Sequence, residues 1–191
     1  MMHNSAISTQ QAARILADGG LLLYPTEAVW GLGCDPRNQA AVQRLLRIKQ
    51  RPLDKGLILV AADEAQLAPF IDMQRLEPAQ QAAVRESWPG AHTWIVPASA
   101  TAPDWIRGAH SGIAVRVCAH PEVIALCRAF GGAVVSTSAN FSGQAAPTSR
   151  TAIDPALIAA VDALLAGETG GHPNPSTIRD AISGQTLRGA G

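Results

Sequence analysis

Lysine and aromatic residues are scarce in this chain of 191 residues. Only two of its 15 basic residues are lysines, at positions 49 and 55, and aromatic residues make up 4% of the composition. The 15 basic residues are balanced by 15 acidic ones, so the formal net charge is zero. A nonspecific nucleic-acid binder is usually strongly basic, and a single-strand binder needs aromatic stacking platforms. The composition therefore argues against both classes.

Cysteine pairs, metal-binding motifs and long apolar runs are also missing. The three cysteines, Cys34, Cys118 and Cys127, form no CxxC pair, which argues against a structural zinc site and a disulfide framework. The histidines show no HExxH spacing and GxSxG is absent, so neither a metalloprotease-type site nor a covalent serine mechanism has support. No apolar stretch reaches membrane-spanning length, and no signal-peptide pattern opens the chain. We therefore expect a cytoplasmic protein without a membrane segment.

The chain does contain a large apolar fraction, with 47% hydrophobic against 16% charged residues. Helical patterns alternate with short, continuous apolar runs for most of the length. This alternation predicts an α/β fold in which helices cover a central sheet. Because we find no internal repeat and no low-complexity linker, we predict one domain over residues 8–191 after a short tail at residues 1–7.

Capping residues, glycines and prolines delimit the predicted elements. The predicted helices begin near positions 8, 38, 63, 78, 121 and 151, and the last of them runs over residues 151–160. The predicted strands are at residues 21–24, 57–60, 93–96, 113–117 and 133–136, with an apolar run at 161–165 and short strands near 176–179 and 185–187. Residues 26–36 and 137–149 are predicted to be loops.

These two polar loops follow predicted buried strands, where α/β proteins place ligand-binding loops. The first contains Thr26, Gly31 and Gly33, and its spacing fits neither a P-loop nor a dinucleotide fingerprint. The second begins within the segment STSANFSG (136–143). The hydroxyl and amide groups of this segment can donate hydrogen bonds to phosphate, ribose or carboxylate oxygens. Ordinary turns rich in Gly, Ser and Asn are the alternative interpretation of both loops.

Both lysines lie in the basic segment RLLRIKQRPLDKG. Lys49 and Lys55 bracket Arg51 and Pro52, and the proline turn allows the three cations to converge on one anion. We interpret the segment as an anion site, most plausibly for phosphate. The alternative is a solvated helix end in an arginine-rich chain.

Arg116 interrupts the apolar strand predicted at residues 113–117. Burying an unpaired charge is costly, so we expect Arg116 to meet a carboxylate from either the protein or a ligand. A further polar run, NPSTIRD (174–180), lies near the C-terminus and is followed by Leu187, Arg188 and Gly189.

Taken together, six segments resemble the YrdC/TsaC family in the same order. They are YPTEAVWGLG, KQRPLDKGLILV, PGAHTWIVPA, AVRV, STSANFSG and NPSTIRDA, and the resemblance extends over residues 8–189. Lys49 with Arg51 and Ser138 with Asn140 match the KxR and SxN elements of the family. The chain looks like the short bacterial form, because it lacks the extra C-terminal domain of longer relatives.

The resemblance implies a twisted mixed sheet flanked by helices, with a large, positively charged concave cavity. It implies a nucleotidyltransferase reaction in which L-threonine, bicarbonate (or CO2) and ATP give threonylcarbamoyl-AMP, pyrophosphate and water. This reaction is the first step of N6-threonylcarbamoyladenosine formation in tRNA, and a partner transferase machinery completes the modification. Direct binding of tRNA or double-stranded RNA stays open. The alternatives are an RNA-binding module and the YrdC-like module of hydrogenase-maturation proteins.

By motif position, the resemblance also implies the site residues. Lys49 and Arg51 are expected to stabilise charge during catalysis, with no general base assigned, and Mg2+ is expected to bridge the ATP phosphates without assigned protein ligands. The residues expected at ATP are Lys49, Arg51, Lys55, Ser138, Asn140 and Arg188. The residues expected at threonine are Thr26, Ala28, Arg116, Ser136 and Ser176.

Two positions near the expected threonine site depart from the longer relatives. Those relatives carry a threonine and a histidine where this chain has Ala28 and Val60. Recognition of threonine is therefore expected to use other groups here, such as Thr26 or the backbone.

Overall fold

The computed structural model describes residues 6–189. Positions 190 and 191 of the predicted domain lie outside the described residues, as do positions 1–5 of the predicted tail. Ile7, which the sequence assigns to that tail, forms an isolated bridge with Leu165. Within residues 6–189, no helix has the length and apolar character needed to cross a bilayer.

Nine strands form one mixed sheet over the described residues. The strands are β1 (Leu22–Pro25), β2 (Trp30–Gly33), β3 (Ile58–Ala61), β4 (His92–Pro97), β5 (Gly112–Val117), β6 (Val134–Ser138), β7 (Ala163–Leu164), β8 (Thr177–Asp180) and β9 (Thr186–Arg188). Their order is β7-β1-β2-β6-β3-β5-β4-β8-β9. The pairs β1/β7, β3/β5 and β4/β8 are parallel, and the other neighbours are antiparallel. The predicted fold class, a twisted mixed sheet flanked by helices, is confirmed.

Helices cover both faces of this sheet. They are α1 (Thr9–Ala17), α2 (Gln39–Lys49), α3 (Pro78–Glu86), α4 (Asp104–Arg107), α5 (Pro121–Phe130) and α6 (Pro155–Ala160). The predicted caps form: Ser8 makes a capping box with Gln11, and the Asn38 side chain accepts from the backbone N–H of Ala41. Such caps satisfy backbone donors that lack a partner in the first helical turn.

The apolar side chains divide into two cores. One contains Val42 and Leu45 of α2 together with Trp30 and Leu32 of β2. The other packs α1 and α5 against the opposite face of the sheet. Its members include Leu16, Leu126, Leu22, Tyr24, Val60 and Val134. Because strand side chains alternate between faces, this second face continues along β5 and β6 beyond the helices, where polar residues replace the apolar ones.

The structure corrects three predicted elements. Residues 26–36 are not one loop, because β2 lies within them and pairs with β1 and β6. The predicted helix at residues 63–68 is a short 3-10 helix, Glu64–Leu67. The helix predicted at 151–160 is divided into a 3-10 turn, Arg150–Ala152, and α6, which begins at Pro155 after the capping residue Asp154. Proline favours the first turn of a helix, so it restarts the element there.

The glycines of β2 explain why a loop was predicted where this strand forms. A Cβ added at Gly33 would lie 2.1 Å from the carbonyl oxygen of Val135 and 2.8 Å from the Tyr24 ring. Tyr24 is fully buried, and its hydroxyl donates to the same Val135 oxygen at 3.0 Å. Glycine in this strand therefore provides close approach for a buried ring and not the flexibility of a turn.

Candidate active site

A cavity of about 760 Å³ occupies the open end of the face that α1 and α5 cover elsewhere. Alternate strand residues form much of its floor, because residues two apart on a strand face the same side. Gly112, Ala114 and Arg116 of β5 and Ser136 and Ser138 of β6 follow this rule. Its volume lies within the range of about 300–1,000 Å³ that is usual for small-molecule and cofactor sites.

Ten of the eleven predicted site residues line this cavity. They are Thr26, Ala28, Arg51, Lys55, Arg116, Ser136, Ser138, Asn140, Ser176 and Arg188. Tertiary structure thus brings together polar side chains from segments that are far apart in the sequence. The basic side chains in the lining are Arg51, Lys55, Arg107, Arg116 and Arg188, and the carboxylates are Glu27 and Asp180.

Lys49 is the predicted site residue that does not line the cavity. Its side chain is buried, and its ammonium group donates to the backbone oxygens of Ser138 at 2.5 Å and Asn140 at 2.6 Å. A third contact, at 3.3 Å, joins Lys49 Nζ to Asn140 Oδ1. Burial, followed by the like charge of Arg51, lowers the pKa of Lys49 to about 8. Lys49 therefore holds the loop after β6 from the side that faces away from the cavity.

Arg51 holds the neighbouring turn and also reaches the cavity. Its Nε and Nη2 atoms donate to the carbonyl oxygen of Gly56 at 3.3 and 2.9 Å, and burial lowers the pKa of its guanidinium. Lys55 is exposed at the edge of the same turn. Gln50 adopts the left-handed αL conformation, with φ of 49°, and ends α2, so Arg51 lies outside the helix.

The loop after β6 is ordered by Asn140. Its side-chain NH2 group donates to the carbonyl oxygens of Phe141 at 3.0 Å and Gln144 at 2.7 Å. Because the Oδ1 atom receives the Lys49 contact, the Asn140 amide is committed to internal bonds. Ser138 presents a half-buried hydroxyl in the cavity lining.

Arg116 meets a protein carboxylate, in agreement with one of the two options that its buried position predicts. Its Nη1 atom lies 3.0 Å from Oε2 of Glu27, and both side chains are more than nine-tenths buried. Burial alone would raise the pKa of Glu27, but Arg116, the Cys118 thiol and the Ala119 N–H together lower it. Glu27 is therefore ionised at neutral pH.

The C-terminal hairpin of β8 and β9 contributes Ile178, Asp180, Leu187 and Arg188 to the cavity lining. Arg188 donates from Nε and Nη2 to the backbone oxygen of Ser176 at 3.1 and 2.8 Å. The Ser176 hydroxyl lies 2.9 Å from that of Thr93, a buried residue of β4. Desolvation, followed by the like charge of Arg116, lowers the pKa of Arg188. Two guanidinium groups thus influence the same part of the cavity.

The two departures from longer relatives occupy different environments. Ala28 lines the cavity, whereas Val60 is fully buried in the core beneath α5 and is not part of the lining. The Thr26 hydroxyl donates to the Val29 carbonyl oxygen at 2.7 Å and closes the turn between β1 and β2. Because its proton is used in this bond, the Thr26 hydroxyl can only accept a hydrogen bond from a further partner.

No group of three or more His, Cys, Asp or Glu side chains within residues 6–189 is arranged to hold a metal ion. The two cavity carboxylates already have partners. Glu27 contacts Arg116, and Asp180 Oδ1 accepts from the backbone N–H groups of Ile182 and Ser183. These residues form no dedicated metal cage.

Comparison with known proteins agrees with this architecture. The family model Sua5/YciO/YrdC, described as "Telomere recombination", matches residues 14–190. The chain belongs to the Sua5/YciO/YrdC family. A relative named threonylcarbamoyl-AMP synthase, from Xanthomonas euvesicatoria pv. vesicatoria (strain 85-10), is 54% identical over 182 residues, which are 95% of this chain and 97% of the relative.

Two solved structures of a Sua5 protein from P. abyssi share the family fold. One, a variant, has a TM-score of 0.88 at 29% identity and covers 96% of this chain and 56% of that chain. The other, described as complexed with L-threonine, has a TM-score of 0.83 at 29% identity and covers 90% of this chain and 50% of that chain. This chain therefore spans about half the length of the Sua5 structures.

Glu27 is a site residue that the sequence analysis did not single out. It lies inside the segment YPTEAVWGLG, in which Thr26 and Ala28 were the predicted site residues. The available signal was a lone carboxylate in an otherwise apolar segment next to a buried strand. Its partner Arg116 was recognised by the same reasoning, but the two are 89 positions apart, so no local pattern joins them.

Proposed function

We propose that this protein is a threonylcarbamoyl-AMP synthase, which converts L-threonine, bicarbonate and ATP into threonylcarbamoyl-AMP, pyrophosphate and water. When CO2 replaces bicarbonate, no water is formed. The observation that carries the proposal is that one cavity is lined by both sets of predicted residues. Arg51, Lys55 and Ser138, expected at ATP, and Arg116, Ser136 and Ser176, expected at threonine, all belong to its lining. The named relatives, similar over nearly their whole length, support the same activity.

In this mechanism the amine of threonine first combines with CO2 and loses a proton to give N-carboxythreonine. An oxygen of that carboxylate attacks the α-phosphorus of ATP, and the bond between the α-phosphorus and the bridging oxygen breaks to release pyrophosphate. Anionic groups approach each other in this step, so the main tasks of the protein are positioning and charge compensation. We assign no general base.

The cations of the cavity divide these tasks. Arg51 and Lys55 bind the phosphates that leave as pyrophosphate, and Arg188, which bonds to Ser176, binds the attacked phosphate. Ser138 donates a neutral hydrogen bond to ATP. Arg116 binds the carboxylate of threonine through a charge-assisted, planar contact. Mg2+ bound to the ATP phosphates would compensate their charge, and no residue of the chain is assigned as its ligand.

The threonine region uses short side chains and the backbone. Ser136 and Ser176 supply hydroxyl groups, and Ala28 leaves space beside Thr26 for the substrate side chain. In the cell the product passes to a transferase machinery that modifies tRNA, because a mixed carboxylic–phosphoric anhydride is a reactive acyl donor. We further propose that the protein acts in the cytoplasm.

The proposal is tested with purified protein, L-threonine, labelled bicarbonate and MgATP. We expect mass spectrometry to detect an adenylate whose formation requires all three substrates, with equimolar pyrophosphate. An Arg116→Ala variant should raise the KM for threonine above all. If no such product forms and the protein instead binds tRNA or double-stranded RNA with a steep salt dependence, the enzyme proposal is wrong and the RNA-binding module is favoured.

A further inference from the structure

Glu27 is held by three donors at the edge of the cavity. Its Oε2 atom accepts from Arg116 Nη1 at 3.0 Å, and its Oε1 atom accepts from the backbone N–H of Ala119 at 3.0 Å. The Cys118 thiol lies 3.1 Å from Oε1 as a further donor. A carboxylate with this set of donors on both oxygens has little freedom to rotate.

The main chain of Glu27 is fixed as well. Its carbonyl oxygen accepts from the N–H of His172 at 2.9 Å, and the preceding carbonyl, of Thr26, accepts from the N–H of Gly170 at 3.0 Å. A Cβ added at Gly170 would lie 3.1 Å from the Glu27 oxygen, which leaves almost no space between the two segments. Both ends of the residue are therefore anchored.

Arg116 uses only part of its hydrogen-bonding capacity in this pair. Its Nη1 atom is bonded to Glu27, whereas its buried Nε atom has no hydrogen-bond partner among residues 6–189. Buried donors without partners are uncommon in folded proteins and call for an explanation. Because Arg116 lines the cavity, a planar anion bound there is the natural partner for the edge of the guanidinium that faces the cavity.

We propose that Glu27 is a positioning residue for substrate binding: by holding Arg116 Nη1, it fixes the guanidinium plane so that its remaining donors receive the carboxylate of the amino-acid substrate. The inference rests on the proposed function, since it identifies that anion as the carboxylate of threonine. Glu27 also neutralises the charge of Arg116. Selection of the substrate then depends on the geometry of the guanidinium and not on a general attraction for anions.

The test replaces Glu27 by its neutral isostere. In Glu27→Gln, we expect the KM for threonine to rise about tenfold or more, because the charge-assisted bond that orients Arg116 is lost. The KM for ATP should change less than twofold. Isothermal titration with L-threonine alone should show the same loss of affinity. A threonine KM within twofold of the wild type, or equal rises for both substrates, would overturn the proposal.

Glu64→Gln is a matched control. Glu64 also pairs with an arginine, Arg85, at 2.8 Å, but this pair is on the surface and far more exposed. The same chemical change there should leave both KM values unchanged. If it raises the threonine KM as much as Glu27→Gln does, the effect is not specific to Arg116 and the proposal is wrong.

A double variant separates orientation of Arg116 from a merely structural role. In the Arg116→Met background, Glu27→Gln should raise the threonine KM by less than a further twofold, because the group that Glu27 orients is gone. If the rise in the threonine KM of the double variant equals the product of the rises in the two single variants, the inference is contradicted. If Glu27→Gln does not fold, Cys118→Ala removes one donor to Glu27 and should raise the threonine KM two- to fivefold. No change in that variant would also overturn the proposal.

The wild type distinguishes failure of this inference from failure of the proposed function. If wild-type protein neither binds L-threonine nor forms the adenylate, the proposed function is wrong and the inference falls with it. If the wild type does both and the Glu27→Gln enzyme behaves identically, only the role of Glu27 is wrong.

Discussion

At the scale of single residues, Lys49 and Arg51 have different geometries although they stand two positions apart. The ammonium group of Lys49 is surrounded by three oxygens of the Ser138–Asn140 segment, whereas Arg51 reaches the cavity. The KxR element therefore contains one cation directed toward a loop and one directed toward the proposed phosphate region.

The pKa of Lys49 predicts an alkaline decline in activity. Above a pKa of about 8 the amine becomes neutral and its bonds to the loop lose their charge assistance, so we expect kcat/KM for ATP to fall about fivefold, equivalent to ~1 kcal/mol. Between that pH and the ordinary lysine pKa of 10.5, the unfolded chain binds more protons than the folded one. This titration by itself therefore raises stability with pH, and unfolding does not explain the decline.

A pH–activity profile recorded with a parallel Tm series checks this prediction. Lys49→Met should be less active at every pH and should lack the decline that begins near pH 8. A decline that persists unchanged in Lys49→Met would assign the titration to another group.

Arg51 provides a second residue-scale prediction. Arg51→Ala should raise the KM for ATP about tenfold or more and change that for threonine less than twofold, because a charge-assisted phosphate contact is lost. Steady-state pyrophosphate release measures both constants. Arg47→Ala is the control, since Arg47 is exposed on the preceding helix, α2, and does not line the cavity. Equal effects of the two substitutions would exclude a specific role for Arg51.

At the scale of elements, the short helix α4 supports the turn that carries Lys55. Leu57 N–H donates to the carbonyl oxygen of Ile106 at 2.9 Å, and Ala109 N–H donates to that of Asp54 at 3.0 Å. A Cβ at Gly108 would lie 2.5 Å from the Asp54 oxygen. The end of α4 and the cationic turn are therefore packed backbone against backbone.

Gly108→Ala tests this support. Gly108 has φ of +64° and ψ of −136°, a conformation outside the left-handed helical region, so alanine is expected to strain the backbone by ~1–3 kcal/mol and also to displace residues 53–56. We expect a lower Tm and a KM for ATP raised at least several-fold.

Gly131→Ala is the matched control for this effect. Gly131 also caps a helix with a positive φ, of +82°, but an added Cβ meets nothing within 4 Å. It should lower stability by ~1–2 kcal/mol without changing the KM for ATP. The same KM change in both variants would mean that backbone strain, and not displacement of the turn, affects the site.

At the scale of the whole molecule, the cavity depends on strands from the middle of the sheet and from one edge. Arg116 and Ser136 come from central strands, whereas Arg188 lies on β9, an edge strand that pairs with β8 alone among residues 6–189. The outermost strand of the sheet thus contributes a wall of the proposed active site although it is exposed along its length.

Truncation after Gly184 tests this dependence. Because β9 buries little surface, we expect Tm to fall by less than about 8 °C, which corresponds to roughly 2 kcal/mol in a chain of this size. Adenylate formation should fall about tenfold or more. Arg188→Ala in the full chain should reproduce most of that loss. Full activity of the truncated chain would remove the hairpin from the site.

The sequence alone predicts the elements that depend on local chemistry. Capping boxes, glycines, prolines and apolar runs act over a few residues, so they place α1, α2 and most strands within one or two positions. The same local signals fail for β2, whose glycines look like a turn until the Tyr24 ring is packed against them. They also fail at residues 151–160, where Pro155 restarts the helix.

Side-chain chemistry in the sequence, together with the resemblance to a known family, also determined which segments to expect near a ligand. Only the tertiary structure decided which partners they meet. Lys49 and Ser138, and likewise Glu27 and Arg116, are 89 positions apart, and the order of strands in the sheet brings each pair together. Sheet order depends on packing over the whole chain, and no short pattern encodes it. For that reason the sequence identified the two lysines, but only the fold separated the buried Lys49 from the exposed Lys55.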